Sequence, residues 1–568
     1  MTELPGNTEN TDHQDHPHKA DDGGTSGKRQ RQGSGGRRAH WARGVAGVAT
    51  GVVLLGGAGS MVAWSIVAVP GGAAIQLPVP TAAVPPGEFS AVCAAPPRLL
   101  DGEVDGVDPN FSPVSETAES SIGAMVLSDL GGALPGSSLS PLAGGESLVT
   151  IAGDTAESGD SAAPEVSNED GLTNRTAGVV RGQQIEGPTV LRAQAVGGQQ
   201  ATAGASLTYA ATDGDLRGLA SANCQSPGSD FWVLGASTTV GSTAVLNLHN
   251  PSLTPATVNL DLHGADGPIE APGGQGILLP PGESQSIVLA GFAANQEQLA
   301  VRVLSDGGSI TGVIQQSVLR GLTPGGVELI QPGAAASSTQ FVSGIQVQDQ
   351  DTAQAIQEQD GYASASPSLQ VVVPGGTDAV LDIRLYGPDG EVELPGGGVV
   401  TAVAGGIASI PLDSLPAGNY AAAISSDVLV AAAAKVSRGS EPEEPVDLAV
   451  APSTGRLGSE HVAVLPENVD SSFVFSAPSG RSEVQLTPVA GDGTLGEAKV
   501  FSIAGGTAVS VPSADLGDGV VSVLIAATGD PAYGAQVQSL DGDTPGISIT
   551  PIAPGSAGQQ SVAVNLGY

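Results

Sequence analysis

The chain has 568 residues and a formal net charge of −38, and 40% of its residues are hydrophobic but only 3% aromatic. This length allows several domains, and a core poor in aromatic residues must be built from Val, Leu, Ile and Ala, which favours many short strands. Such an excess of acidic side chains repels DNA and RNA, so nucleic acid is not an expected partner.

The N-terminal region divides into a charged tail and a long apolar segment. Residues 1–43 contain seven Lys and Arg against six Asp and Glu, whereas residues 44–69 contain no charged residue. About 20 apolar residues cross a bilayer core as a helix, and basic residues stay on the cytoplasmic side. The sequence therefore predicts a single transmembrane helix with a cytoplasmic tail and an extracellular body. A signal peptide cleaved near Gly72 and Ala74, which would make the protein secreted, is the alternative.

After this helix, residues 70–90 are predicted to be a linker, and residues 91–230 an N-terminal β domain with acidic loops. In the first loop, "DGEVDGVDPNFS" places Asp101, Glu103 and Asp105 at the first, third and fifth positions of an EF-hand-like sequence. A serine stands where that loop requires a bidentate Glu. We therefore favour an ordinary acidic loop, with a weak Ca²⁺ site as the alternative.

A repeat runs through the rest of the chain. "FWVLG" at Phe231, "FVSG" at Phe341 and "HVAVL" at His461 each open a similar series of strand-like stretches with turn signals between them. Each series is predicted to end in a strand pair, which is "YAAAISSDVLVAAAAKVS" in the second repeat. The predicted fold class is all-β, with tandem immunoglobulin-like β-sandwiches after the transmembrane helix. The predicted repeats are residues 231–335, 336–440 and 441–568. A β-propeller is the alternative, although no blade-length period of about 40–50 residues is evident.

Alternation within the repeats predicts which residues form their cores. The inward-facing residues should be Leu260, Leu262, Ile383, Leu385 and Leu486. The residues between them should face outward: Asp261, Arg384 and Thr487. The stretch from Gln346 is predicted to be an insertion in the second repeat, and residues 438–447 a linker to the third.

Only two cysteines occur, Cys93 and Cys224, and both follow the predicted transmembrane helix. Disulfides persist outside the cytoplasm, and neither cysteine belongs to a CxxC motif or has a histidine nearby. A disulfide between them is therefore predicted. In the chain-entropy model it stabilises the folded state by about 4–5 kcal/mol.

The stretch around Cys224 resembles a known family. "GDLRGLA" precedes this cysteine, and "FWVLG", a Gly-rich turn and a strand ending in "NP" follow it, while "VCAAPPRLL" matches the family's early cysteine segment. Together they resemble the domain of unknown function 5719 family of high-GC Gram-positive bacteria, over most of residues 88–568. The resemblance implies an anchored or secreted envelope protein, and it carries no activity, substrate or catalytic residue. Cys224 and Trp232 are then expected to be structural.

The residues themselves suggest little chemistry. Beyond residue 69 the histidines are His249, His263 and His461; the first two fall on predicted turns, where facing solvent is favoured over holding a metal. The sequence contains no GxSxG elbow and no phosphate-binding GxxxxGK[ST] motif. We therefore assign no catalytic, cofactor or metal residue. The expected function is a non-enzymatic scaffold or interaction surface for an unidentified envelope protein or glycan. The alternative is an extracytoplasmic hydrolase, or an accessory factor in the assembly of cell-surface polysaccharide.

Overall fold

The structure is a computed structural model, and it is almost entirely β. It describes residues 81–84, 87–99, 114–153, 175–196, 199–394, 396–442, 444–540, 545–555 and 560–563. All of them belong to one compact unit, residues 81–568. No helix among them is long and apolar enough to cross a bilayer. The predicted tail and the predicted transmembrane helix lie outside the described residues.

The first segment of the fold contains eight strands in two antiparallel sheets. The strands are β2 (Phe89–Cys93), β3 (Glu119–Leu127), β4 (Ser137–Pro141), β5 (Val149–Ala152), β6 (Ala177–Gln184), β7 (Thr189–Ala193), β8 (Ala203–Ala211) and β9 (Gly218–Asn223). One sheet has the order β2-β7-β4-β5, and the other has the order β6-β3-β8-β9.

The second segment also forms two sheets. Its strands are β10 (Asp230–Ala236), β11 (Ser242–His249), β12 (Ala256–Gly264), β13 (Gly267–Ile269), β14 (Ile277–Leu279), β15 (Ser284–Val288), β16 (Leu299–Asp306), β17 (Thr311–Arg320) and β18 (Thr323–Ile330). The first sheet has the order β10-β16-β12-β13, with β14 also on β12, and the second has the order β15-β11-β17-β18. Two 3-10 turns lie between its strands, at Pro272–Gly274 and Leu289–Gly291.

In the third segment one long strand joins the two sheets. The strands are β19 (Ser337–Val347), β20 (Ser368–Val372), β21 (Ala379–Gly387), β22 (Gly390–Val392), β23 (Val399–Ala402), β24 (Ile407–Pro411), β25 (Gly418–Arg438) and β26 (Asp447–Pro452). β25 pairs with β19 and β21 in one sheet and with β20 and β26 in the other. Helix α1 (Gln350–Gln357) and the 3-10 turn Ala363–Ala365 lie between β19 and β20, within the predicted insertion.

The fourth segment repeats the two-sheet arrangement. Its strands are β27 (His461–Val464), β28 (Asp470–Ala477), β29 (Ser482–Ala490), β30 (Lys499–Ile503), β31 (Thr507–Pro512), β32 (Val520–Gly529), β33 (Tyr533–Leu540) and β34 (Gly546–Pro551), with a 3-10 turn at Ser513–Leu516. The sheet orders are β27-β32-β29-β30 and β31-β28-β33-β34. Separately, β1 (Thr81–Val84) pairs with β35 (Gln560–Ala563), so part of the predicted linker is a strand.

All four segments share one strand order. Counting within a segment, we count a split fourth strand once and the two halves of β25 as the sixth and seventh strands. The first sheet then contains strands one, six, three and four, and the second contains strands five, two, seven and eight. The first segment follows this order too. The sequence did not reveal this, because the strands of the first segment are less regularly spaced than those of the other three. The alternation prediction is confirmed, since all five predicted inward-facing leucines and isoleucines are at most 3% exposed.

Two expectations about the second repeat are wrong. Residues 420–437, predicted to form a strand pair, lie within the single strand β25. The second and fourth segments turn at this point through Gly307 and Gly529, whose φ angles are +92° and +89°, whereas β25 contains no glycine after Gly418. In addition, β26 follows the predicted linker but pairs with β25, so the second repeat extends past residue 440.

The four segments pack in a closed ring. The last strands of the segments, β9, β18, β26 and β34, contact one another in that order, and β34 contacts β9. The hydrophobic cores also extend from one segment to the next. Val313 of the second segment joins the core of the first, Ala433 of the third joins that of the second, and Val474 of the fourth joins that of the third. A further cluster with Met125 and Val462 joins the fourth segment to the first.

Candidate functional site

The predicted disulfide is present. Cys93, at the end of β2, is bonded to Cys224, which directly follows β9, across 131 residues of sequence. Beside it the backbones of Val92 and Gln225 exchange two hydrogen bonds of 2.8 Å. Because β2 and β9 belong to different sheets, the bond links the two sheets of the first segment.

The proposed calcium ligands Asp101, Glu103 and Asp105 lie outside the described residues. Within the part of the chain that the structure describes, no group of three or more His, Cys, Asp or Glu side chains is arranged to hold a metal ion.

The expectation that the histidines of the second segment face solvent is wrong. His249 and His263 lie at strand ends but are only 3% and 6% exposed. His249 Nδ1 lies 2.9 Å from the Ser284 hydroxyl, and burial lowers the pKa of His249 to about 4. His263 Nδ1 lies 2.7 Å from the carbonyl of Gly405, and its ring packs against buried Trp232 with ring centroids 5.3 Å apart. Both histidines are packed as structural residues.

The third histidine is also built into the fold. His461 Nε2 accepts a hydrogen bond of 2.8 Å from the backbone N–H of Gly458, and its Nδ1 lies 2.7 Å from the carbonyl of Ala553. Burial lowers the pKa of His461 below its usual range. The neutral ring therefore joins the start of the fourth segment to the chain beyond β34.

One carboxylate joins the last strands of all four segments. Asp447 opens β26 and is 2% exposed. Its Oδ2 accepts hydrogen bonds of 2.9 Å from the backbone N–H groups of Leu219 in β9 and Ile547 in β34. Its Oδ1 accepts bonds of 3.2 Å from Val327 in β18 and 3.0 Å from Leu448 in β26 itself. We call this arrangement the four-strand junction.

The sequence makes room for this carboxylate at the equivalent positions. The residues that precede the donors in the other three strands are all glycines: Gly218, Gly326 and Gly546. A Cβ added at either of the first two would lie 2.5 Å from Oδ1 of Asp447, and both have positive φ angles, of +142° and +102°. The site thus admits one side chain, and three of the four segments contribute only backbone.

A second buried carboxyl lies one residue further along. Glu328 is fully buried in β18 and accepts hydrogen bonds from the Ser548 hydroxyl at 2.9 Å and from the Leu329 backbone at 2.8 Å. Burial raises the pKa of Glu328 well above its usual range, and the nearby Asp447 raises it further. Burial also raises the pKa of Asp447 to about 7, although its four N–H donors favour the charged form.

A large concave site lies between the second and third segments. It is a cleft of about 1250 Å³, which we call the 2/3 cleft. One wall is a face of the sheet made by β24, β20 and β25. There Leu369 points into the core, so its neighbours Ser368 and Gln370 point into the cleft. Lys435 of β25 lies beside Ser368 in the strand pairing and faces the same way.

The opposite walls come from loops. The second segment contributes the turn between β10 and β11 and the hairpin between β17 and β18, and the residues after α1 close the third side. Hydroxyl and carboxamide side chains outnumber apolar side chains in this lining. These side chains can exchange hydrogen bonds with the hydroxyl groups of a ligand.

Two cations lie deep in the 2/3 cleft. Arg320 stacks over the ring of buried Tyr362, with its guanidinium carbon 4.6 Å from the ring centroid. Its Nε and Nη1 atoms are buried and have no hydrogen-bond partner among the described residues. Burial lowers the pKa of Arg320 below its usual range, and burial together with the nearby Arg320 lowers the pKa of Lys435 to about 8. Gly325 provides the space for Arg320, since a Cβ there would lie 2.3 Å from Nη1.

The acidic side chains of the cleft lie at its rim. Glu297, Glu358 and Asp360 line the opening and are exposed. Lys435 experiences a weak attraction from Glu297, which is the smallest influence on its pKa. The 2/3 cleft therefore has a half-buried cationic floor and an exposed acidic rim.

Sequence reasoning did not identify this cleft or the four-strand junction. One signal was available for the cleft: Arg320 and Lys435 are two of only 13 basic residues that follow residue 43, against 52 acidic residues. In so acidic a chain, a basic residue on an alternating strand indicates a candidate binding site for an anion.

The strand order and the junction define an all-β protein of four two-sheet segments closed into a ring. The chain belongs to the family of unknown function DUF5719, whose profile matches residues 179–514. The match confirms the family resemblance inferred around Cys224. A search of curated proteins finds no match, and neither does a search of solved structures.

Proposed function

We propose that this protein is a non-enzymatic ectodomain of the cell envelope that acts as a rigid scaffold or interaction surface. The four-strand junction is the observation that carries this proposal. A buried carboxylate that binds the backbones of four segments fixes their relative positions, and a fixed arrangement of surfaces is what a scaffold requires. The disulfide adds a covalent link within the first segment.

The proposed architecture is a ring of immunoglobulin-like β-sandwiches. In support, every sheet of the four segments draws its strands from one segment only, and the two sheets of a segment share buried side chains. In a propeller the segments would be single-sheet blades.

The proposed location is the outer side of a cell membrane, with anchoring through residues 44–69 and the N-terminus in the cytoplasm. Three features support it: the uncharged length of that segment, the basic residues before it, and a disulfide in the body of the protein. The disulfide is the strongest of the three, because thiols in the cytoplasm are normally kept reduced.

The test is site-specific photo-crosslinking of the full chain in intact cells. A photoreactive phenylalanine analogue is placed singly at Val240, Leu253 and Leu322, which are 100%, 94% and 96% exposed, so the substitution leaves the core intact. The control is the same analogue at buried Leu385. We expect an adduct of defined mass from at least one exposed position and none from the buried one. Absence of adducts at all three exposed positions would contradict an interaction surface there.

The alternative hypothesis, that the protein is a hydrolase, is tested by measuring hydrolysis of polysaccharide. The purified full chain is incubated with polysaccharide isolated from the same cells, and new reducing ends are counted. We expect no release above the level of heat-denatured protein. Release that depends on the native chain would overturn the non-enzymatic proposal.

A further inference from the structure

We propose that the 2/3 cleft binds a short saccharide that carries a single anionic group, with the anion at Arg320 and Lys435 on the floor. This inference goes beyond the scaffold proposal because it assigns a ligand class to one site.

The cationic floor is the first part of the argument. Removing a guanidinium and an ammonium from water costs free energy unless an anion or hydrogen-bond acceptors replace the water. Arg320 Nε and Nη1 have no acceptor among the described residues, and Lys435 is repelled by Arg320 and only weakly attracted by the exposed Glu297. The two cations are therefore undercompensated, and a carboxylate or phosphate bound beside them in the cleft offsets their charge.

The arrangement of the two cations favours one small anion. The guanidinium is held in place by stacking on Tyr362 and by the space above Gly325, so its orientation is set before a ligand arrives. Lys435 is fixed on the central strand of a sheet, beside Ser368. Preorganised donors of this kind bind planar or tetrahedral oxyanions with little loss of side-chain entropy.

The side chains at the rim and on the walls indicate the chemistry of the rest of the ligand. Exposed carboxylates at Glu297, Glu358 and Asp360 repel a ligand that carries further negative charges along its length. The walls between rim and floor instead present hydroxyls and carboxamides, such as Ser368, Gln370 and Ser409, which exchange hydrogen bonds with sugar hydroxyls. A neutral sugar chain ending in one acidic group matches both features. A polyanion matches neither.

Isothermal titration calorimetry on the full chain tests the proposal with four probes. They are a glucuronate-terminated trisaccharide, the same trisaccharide with a terminal phosphate instead, the neutral trisaccharide, and N-acetyl-trialanine, which has a carboxylate but no hydroxyls. We expect one or both acidic trisaccharides to bind at least about tenfold more tightly than the other two, since charged hydrogen bonds contribute about 1.5–3 kcal/mol. The tighter of the two identifies the anion as carboxylate or phosphate.

Substitutions then locate the site. Arg320→Met and Lys435→Met should each weaken binding at least about tenfold. The matched controls, Arg384→Met and Lys499→Met, alter exposed basic residues and should leave affinity unchanged. Lys435→Met should also leave the unfolding midpoint equal or higher, because it removes an undercompensated charge; this separates loss of binding from loss of folding.

Three results would overturn the proposal. The first is that neither acidic trisaccharide binds. The second is unchanged affinity in both cleft variants. The third is tighter binding of N-acetyl-trialanine, which would assign the cleft to a peptide carboxylate. The scaffold proposal is judged separately, because the cellular crosslinks do not depend on any of these probes.

Discussion

Replacing Asp447 by Asn should destabilise the whole ring, although the two side chains have nearly the same size. The carboxylate accepts four backbone N–H bonds, two on each oxygen. An amide has one oxygen and one NH₂ group, so in either orientation its N–H groups face two backbone donors. Each buried donor left unpaired costs about 1–3 kcal/mol, so we expect a loss of about 2–6 kcal/mol in the free energy of unfolding. Relief of the buried charge offsets part of this loss.

Denaturant unfolding followed by circular dichroism measures the loss, and amide hydrogen exchange locates it. Exchange should accelerate at Leu219, Val327 and Ile547, which lie in three different segments and all donate to the Asp447 carboxylate. The control is Asp518→Asn, which changes an exposed aspartate in a turn and should stay within about 0.5 kcal/mol of the wild type. An equally small effect of Asp447→Asn would refute the view that this carboxylate holds the segments together.

Leu385→Ala should cost about 2–5 kcal/mol in the free energy of unfolding and Arg384→Ala almost nothing, because they face opposite sides of β21; equal losses would mean that the register is wrong. Reducing the Cys93–Cys224 bond should lower the unfolding free energy by about 5 kcal/mol in the chain-entropy model, measured with and without reductant. His249 has a folded-state pKa of about 4, below its unfolded value, so its contribution to the free energy of unfolding is present above pH 6.5 and is lost as the pH falls towards 4. The variant His249→Asn should therefore show a flatter dependence of the unfolding midpoint on pH between about 6.5 and 4.

The strand interiors were predictable because their information is local. Alternation in "VNLDLHG" and "LDIRLYG" identified the buried side of β12 and β21, since a strand with one face on a core must alternate. The disulfide was predictable for a different reason: two cysteines allow a single pairing.

The segment boundaries were harder to predict because they depend on pairing between distant residues. β26 follows a charged, Pro-containing stretch that resembles a linker, and only its pairing with β25 assigns it to the third segment. The equivalence of the first segment was hidden in the same way, because its strands share an order with the others but have less regular spacing.

The four-strand junction depends on positions that are separated by more than a hundred residues along the chain in most pairs. Gly218, Gly326 and Gly546 look like ordinary turn glycines in the sequence, and Asp447 looks like the end of an acidic linker. Their relation becomes visible only once the four last strands are aligned. A carboxylate has four good acceptor positions, and four strands each offer one N–H, so one aspartate satisfies the ring and a second would have no donors and no space. This is why four segments with the same strand order differ at this one position.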